Sequence, residues 1–162
     1  MEKFIPKVSI IKTERMICLC IMAVGRISYF DYEREPIFLE AEIEPEVLGE
    51  SVLDAIQLSR SVSADEFQKE WDSGSIKSNS EAVLKLMMSK YNYKNKKAFY
   101  GEAKNCLISI IDNEFKISPF RSDKKGGFSA DKENGPFSFT IPLDSNNREV
   151  GDSVLKGFSL CT

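Results

Sequence analysis

The chain has 162 residues, of which 42% are hydrophobic and 10% aromatic, enough to bury one core without disulfide or metal staples. A net charge of -3 and a pI near 5.2 argue against a general nucleic-acid binder, whose phosphate contacts demand a Lys/Arg excess. Histidine is absent, which removes His general bases, Ser-His-Asp and Cys-His nucleophile systems and His-containing zinc sites.

Two apolar runs, 8–11 and 16–22, flank Lys12-Thr13-Glu14-Arg15 and predict a hairpin. Runs at 27–32 and 36–39 continue the strand pattern, with Pro36 placing the second near a strand start or a sheet edge. Pro45 then opens a helix expected to reach about Arg60, with Leu48, Val52, Ala55, Ile56 and Ser59 on one stripe. Two further helices are expected within 63–93. Ser63-x-x-Glu66 and Ser78-x-x-Glu81 would cap their starts, Ser73-Gly74-Ser75 would join them, and Phe67/Trp71 and Val83/Leu86/Met87/Tyr91 follow helical spacing. Trp71, four residues after Phe67, is expected in the core, the alternative being aromatic surface for a partner, together with Tyr91 and Tyr93.

A second hairpin follows, 106–111 and 114–120 around Asp112-Asn113. Residues 121–136 are charged and Gly-rich and predict a surface loop. Residues 137–143 alternate as a strand, and Asn146-x-x-Glu149 has the form of a capping box for a last helix. Gly49-Glu50-Ser51-Val52-Leu53 returns as Gly151-Asp152-Ser153-Val154-Leu155, and Ser9-Ile10-Ile11 as Ser109-Ile110-Ile111, at nearly the same offset. These echoes predict a single α+β domain with a mixed or mainly antiparallel sheet and packed helices. They also predict a pseudo-repeat of a strands-then-helix unit, with halves of about 7–60 and 105–162 around a helical insertion of about 63–93.

Cys18, Cys20, Cys106 and Cys161 lie in apolar strand or helix contexts that match no zinc or secreted-disulfide framework, and are expected as reduced core residues. Cys18 and Cys20, two apart in a strand, share a face and cannot easily pair with each other. Lys124-Lys125-Gly126-Gly127 lacks the Ser/Thr and helix that would follow a phosphate cradle, and reads as a mobile loop. No window approaches the ~18 apolar residues of a membrane span. The expectation is a cytosolic protein with no cofactor, metal or small-molecule ligand and no nucleic-acid or membrane partner.

The charge is unevenly distributed. Between Ile27 and Asp54 nine acids stand against Arg34 alone, whereas 85–125 is predominantly basic. In the same region lie Phe30-Asp31-Tyr32-Glu33, Pro36-Ile37-Phe38-Leu39 and Leu48-Gly49-Glu50-Ser51-Val52-Leu53-Asp54-Ala55, preceded by Lys3-Phe4-Ile5-Pro6-Lys7-Val8-Ser9-Ile10. With the closing Gly151-x-Ser153-x-Leu155 helix, this pattern resembles the immunity proteins of bacterial contact-dependent growth inhibition systems. The resemblance implies a small cytosolic protein that binds and neutralises the C-terminal toxin domain of a large surface protein, commonly a nuclease and often one acting on RNA.

A nuclease presents a positive cleft, which an inhibitor can meet with carboxylates. The candidate toxin-binding residues are therefore Asp31, Tyr32, Glu33, Glu35, Glu40, Glu42, Glu44 and Glu46, with Tyr29, Tyr32 or Phe38 as the aromatic anchor. Equally, these acids could form a solvated surface, with Glu44 and Glu46 favouring a helix N-terminus. Two other functions compete. One is an intracellular adaptor or scaffold, and the other a metal-dependent hydrolase built on Asp31, Glu33 and Glu35, which period-two spacing would place on one strand face.

Overall fold

The apolar run after the first turn forms β2 (Met16–Val24), a strand buried on both faces, which is why it shows no polar alternation. Ile17, Leu19 and Ile21 enter one core cluster, and Met16, Cys18 and Cys20 enter another. In the computed structural model, which describes residues 3–162, β2 pairs antiparallel with β1 (Lys7–Lys12). On its other side β1 meets a strand from much later in the chain: β6 (Lys104–Ile111) and β7 (Glu114–Pro119) form the second hairpin, and β6 lies antiparallel beside β1. That hairpin turns at Asp112 and Asn113, both with positive φ, as a two-residue turn of this hand requires.

The first half of β2 carries β4 (Ile37–Glu40), and β7 carries β10 (Phe139–Pro142), both antiparallel. The sheet order β4-β2-β1-β6-β7-β10 is thus a hairpin plus a third strand, met by a second such unit across β1 and β6. Each unit ends in a helix, α1 (Pro45–Ile56) and α5 (Asn147–Leu160), and the two pack together on one face of the sheet. Leu48, Val52, Val150, Val154 and Phe158 bury there against Val8, Ile10, Ile108 and Ile117. Burying each such side chain is worth about 2 kcal/mol, so this layer dominates the core. The mainly antiparallel α+β fold and the strands-then-helix repeat are as expected, and the Asn146/Glu149 capping box has both arms in place.

Between the units, α2 (Ala64–Ser73), α3 (Ser75–Lys90) and α4 (Lys96–Glu102) cover the other face of the first half. Val83 and Met87 of α3 and Phe99 of α4 pack with Ile11, Met16, Cys18 and Cys20. Ser63 caps α2 by accepting from the Glu66 N–H at 3.1 Å. The expected second box at Ser78 is not a helix start: α3 already begins at Ser75, because Gly74, at φ 77°, both ends α2 and opens α3. Leu86 is exposed rather than on the buried stripe, and α4, capped by Asn95, is an element that the sequence reading did not anticipate.

Three other expectations shift. The run at 27–32 keeps only β3 (Ser28–Phe30), with Ile27 exposed. α1 stops at Ile56 instead of about Arg60, because residues 60 and 61 form β5 (Arg60–Ser61), parallel to the end of β2. Ser59 holds that junction, donating to the Met22 carbonyl at 2.8 Å and accepting from the Lys7 N–H at 3.0 Å. The loop at 121–136 is braced by its own short ribbon, β8 (Arg121–Ser122) with β9 (Phe128–Ser129). At Lys124-Lys125-Gly126-Gly127 the amides that could meet a phosphate are already taken. Asp123 Oδ1 accepts from the Lys125 and Gly127 N–H groups at 2.7 and 2.9 Å, and these bonds hold its carboxyl below the usual range.

Candidate functional site

The acidic residues singled out from the sequence fall into two groups along β2. Glu40 faces Met16 at the start of that strand, whereas the Asp31 N–H bonds the Ile21 carbonyl near its end. Five residues at about 3.3 Å each separate the groups by roughly 17 Å.

The first group is a row. Glu40, Glu42, Glu44 and Glu46 are all exposed, while the residues between them tie the segment down. Ile43 packs on the main core, and the Ala41 carbonyl accepts from Lys12 Nζ at 3.2 Å. Burial, then Lys104 directly opposite on β6, lowers the pKa of Lys12, with Glu42 pulling it back up. Glu44 is the N-cap residue of α1 and Glu46 lies in its first turn, where carboxylates suit the helix dipole. That placement serves the helix and leaves both side chains facing solvent.

The second group is a knot. Asp31 is 2% exposed, and its carboxylate grips Arg60 bidentately, Oδ2 to Nε at 2.8 Å and Oδ1 to Nη2 at 3.2 Å. Arg60 also reaches Glu66 at 3.1 Å and Glu33 at 3.6 Å, and its guanidinium lies 5.7 Å from the Tyr32 ring centre. Hydrogen bonding to Asp31 raises the Arg60 pKa further above its already high value. Residues 31–34 form a turn, with the Glu33 N–H bonded to Asp31 Oδ1 at 3.0 Å, so Asp31, Glu33 and Glu35 do not share a strand face. The geometry required by the hydrolase reading is therefore missing. Among the described residues no three His, Cys, Asp or Glu side chains are grouped to hold a metal ion. Of this group, Asp31 is internal, and Tyr32, Glu33 and Glu35 are exposed.

Of the three proposed anchors, Tyr29 is buried against Phe67 and Phe38 is half-buried beside Tyr91, which leaves Tyr32, 47% exposed. Trp71, expected in the core, is 56% exposed. Its ring meets Phe67 at 6.0 Å, and Phe67 is the one residue of α2 that is buried, so the indole stays at the surface. Arg60, expected only as the end of a helix, lies instead on β5 and is the cation at the centre of this knot.

The family model for CdiI, the CDI immunity protein, matches residues 6–161. The chain belongs to the CDI immunity protein family. It is 26% identical over 149 residues to Immunity protein CdiI-YPIII of Yersinia pseudotuberculosis serotype O:3 (strain YPIII), covering 82% of this chain and 84% of that protein. The same architecture occurs in two solved structures. A Neisseria meningitidis protein, NMB0488, matches with a TM-score of 0.89 at 22% identity, over 100% of this chain and 98% of that one. A CdiA-CT/CdiI toxin and immunity complex from Yersinia pseudotuberculosis matches with a TM-score of 0.86 at 21% identity, over 99% of each chain. In this CDI immunity family member no helix among the described residues is long and apolar enough to cross a membrane.

Proposed function

We propose that the chain binds and neutralises the cognate C-terminal toxin domain of a contact-dependent growth inhibition system, in the cytoplasm of the cell that makes it. The toxin is a nuclease on this reading, foremost an RNase, and the immunity protein needs no cofactor, nucleic acid or small ligand. The observation that carries the reading is the exposed row Glu40, Glu42, Glu44 and Glu46, held on a segment anchored by Ile43 and Lys12. Fixed carboxylates suit a positive cleft and speed its capture. Tyr32, Glu33 and Glu35 supply a second patch about the Arg60 knot.

A second docking face is favoured by one observation. Trp71 and Ile27, 56% and 47% exposed, stand on either side of a hollow that also reaches Phe67, and exposed Trp is a typical anchor of tight interfaces. The decisive experiment is expression of the adjacent toxin domain with and without this protein, followed by co-purification. Rescued growth with a one-to-one complex supports the proposal. Toxicity without rescue, or no toxic neighbour, overturns it in favour of an adaptor.

A further inference from the structure

The two ends of the second unit are held close by a pair of thiols. Cys106 Sγ on β6 lies 3.7 Å from Cys161 Sγ, one residue beyond the end of α5 and 55 residues later in the chain. Gly157, one turn earlier, makes room for it: a Cβ there would meet Cys106 Sγ at 3.1 Å. Cys161 is half-buried, its thiol within 3.4 Å of the Asn105 carbonyl, while Cys106 is 1% exposed. We propose that Cys106 and Cys161 form an oxidisable pair, a modification site for two-electron oxidants of the peroxide class, which closes to a disulfide fastening α5 to β6.

The chemistry balances as follows. The Cys161 thiolate attacks one peroxide oxygen, the O–O bond breaks, and hydroxide leaves, giving a sulfenic acid. The Cys106 thiol then attacks that sulfur and water departs, so two thiols and one peroxide yield one disulfide and two waters. The sulfurs must close from 3.7 Å to about 2.05 Å, a change that side-chain rotation at a helix terminus can supply. The order of attack follows from exposure and charge. The neighbouring Cys106 thiol lowers the Cys161 pKa, and Lys104 adds in the same direction, whereas Cys106 is itself pushed up.

Cys18 and Cys20 lie at a similar separation, 3.8 Å between sulfurs, yet they are a different case. Side chains two apart on a strand have bases about 6.6 Å apart, far beyond the roughly 3.8 Å between Cβ atoms in a disulfide. Both are buried, and the Cys20 thiol is pushed well above its ordinary value by Cys18 and by burial.

The test is hydrogen peroxide treatment of the whole folded protein, read by intact mass, by peptide mapping and by thermal melting. The expected result is loss of two hydrogen atoms, a single Cys106–Cys161 cross-link, Cys18 and Cys20 still free, and a rise in Tm of several degrees that dithiothreitol reverses. Cys161→Ser abolishes the cross-link, and Cys106→Ser leaves Cys161 to oxidise to sulfenic acid or beyond. Because Cys161 is half-buried, its serine variant folds and keeps the experiment readable. Oxidation at Cys18 or Cys20 first, a cross-link between molecules, or thiols that stay reduced while methionines oxidise would overturn the proposal.

Discussion

Gly49 of α1 and Gly151 of α5 occupy reciprocal points where the two helices cross. A Cβ on Gly49 would overlap the backbone carbonyl of Asn147, and one on Gly151 would overlap that of Pro45. The same sequence offset separates Gly49 from Gly151 and Pro45 from Asn147, so the echo seen in the sequence is a pseudo-twofold contact. At both points it is backbone, not a flexible side chain, that fills the space. Replacing either glycine with alanine should therefore force the helices apart at a cost of about 3 kcal/mol, measured as a fall in the urea midpoint. Gly101, with nothing within 4 Å of its Cβ position, is the control. Gly101→Ala in α4 should be neutral or gain about 0.5 kcal/mol.

The knot around Arg60 predicts strong non-additivity. Arg60→Met leaves the buried Asp31 carboxylate without its partner and should cost about 3 kcal/mol, whereas Asp31→Asn together with Arg60→Met should cost much less. A denaturation cycle over the four proteins checks this. Additive losses would mean that the pair is no more than a surface contact.

Tyr93 links stability to alkaline pH. Burial, then the neighbouring Glu102 carboxylate, pushes its phenol up to about 12 from an ordinary value of 10, and Arg15 lies 4.4 Å over its ring. The raised native pKa means that the folded state holds the proton more firmly than the unfolded chain. The contribution is complete below pH 10 and is lost as pH rises through 12, on the order of 2 kcal/mol. Urea titrations at pH 9 and pH 12 should show a steeper loss for the native protein than for Tyr93→Phe. Parallel slopes would assign the loss to other groups.

The binding faces separate by mutation. Glu40, Glu42 and Glu44 reversed to Lys should leave the melting temperature nearly unchanged, since all three are exposed, and should weaken toxin binding by tenfold or more at low ionic strength. Trp71→Ala should also cost under about 1 kcal/mol of stability, its ring being 56% exposed. Titration of both variants against the toxin identifies the occupied face. Unchanged affinity in the charge-reversed protein would remove the acidic row while leaving immunity intact.

Much of the fold was legible because it is written in short-range pattern. The hairpin turn at Asp112-Asn113, the box at Asn146 and Glu149, the helix start at Pro45 and the apolar run of β2 depend on residues a few positions apart. The candidate site was less legible. The acids at 31–46 are one cluster in sequence, yet β2 pairs with them at two separate places and divides them.

Composition, periodicity and the internal echo were enough to establish an α+β chain with two related units, and the motifs at 3–55 pointed to its family. Four features came only with the packed chain: the burial of Asp31, the exposure of Trp71, the parallel strand at Arg60, and the meeting of Cys106 with Cys161. Each depends on where elements far apart in the chain come to rest. Arg60 meets Asp31 across 29 residues and Cys161 meets Cys106 across 55. Local propensity carries no record of such partners, because burial and pairing are set by the whole core at once.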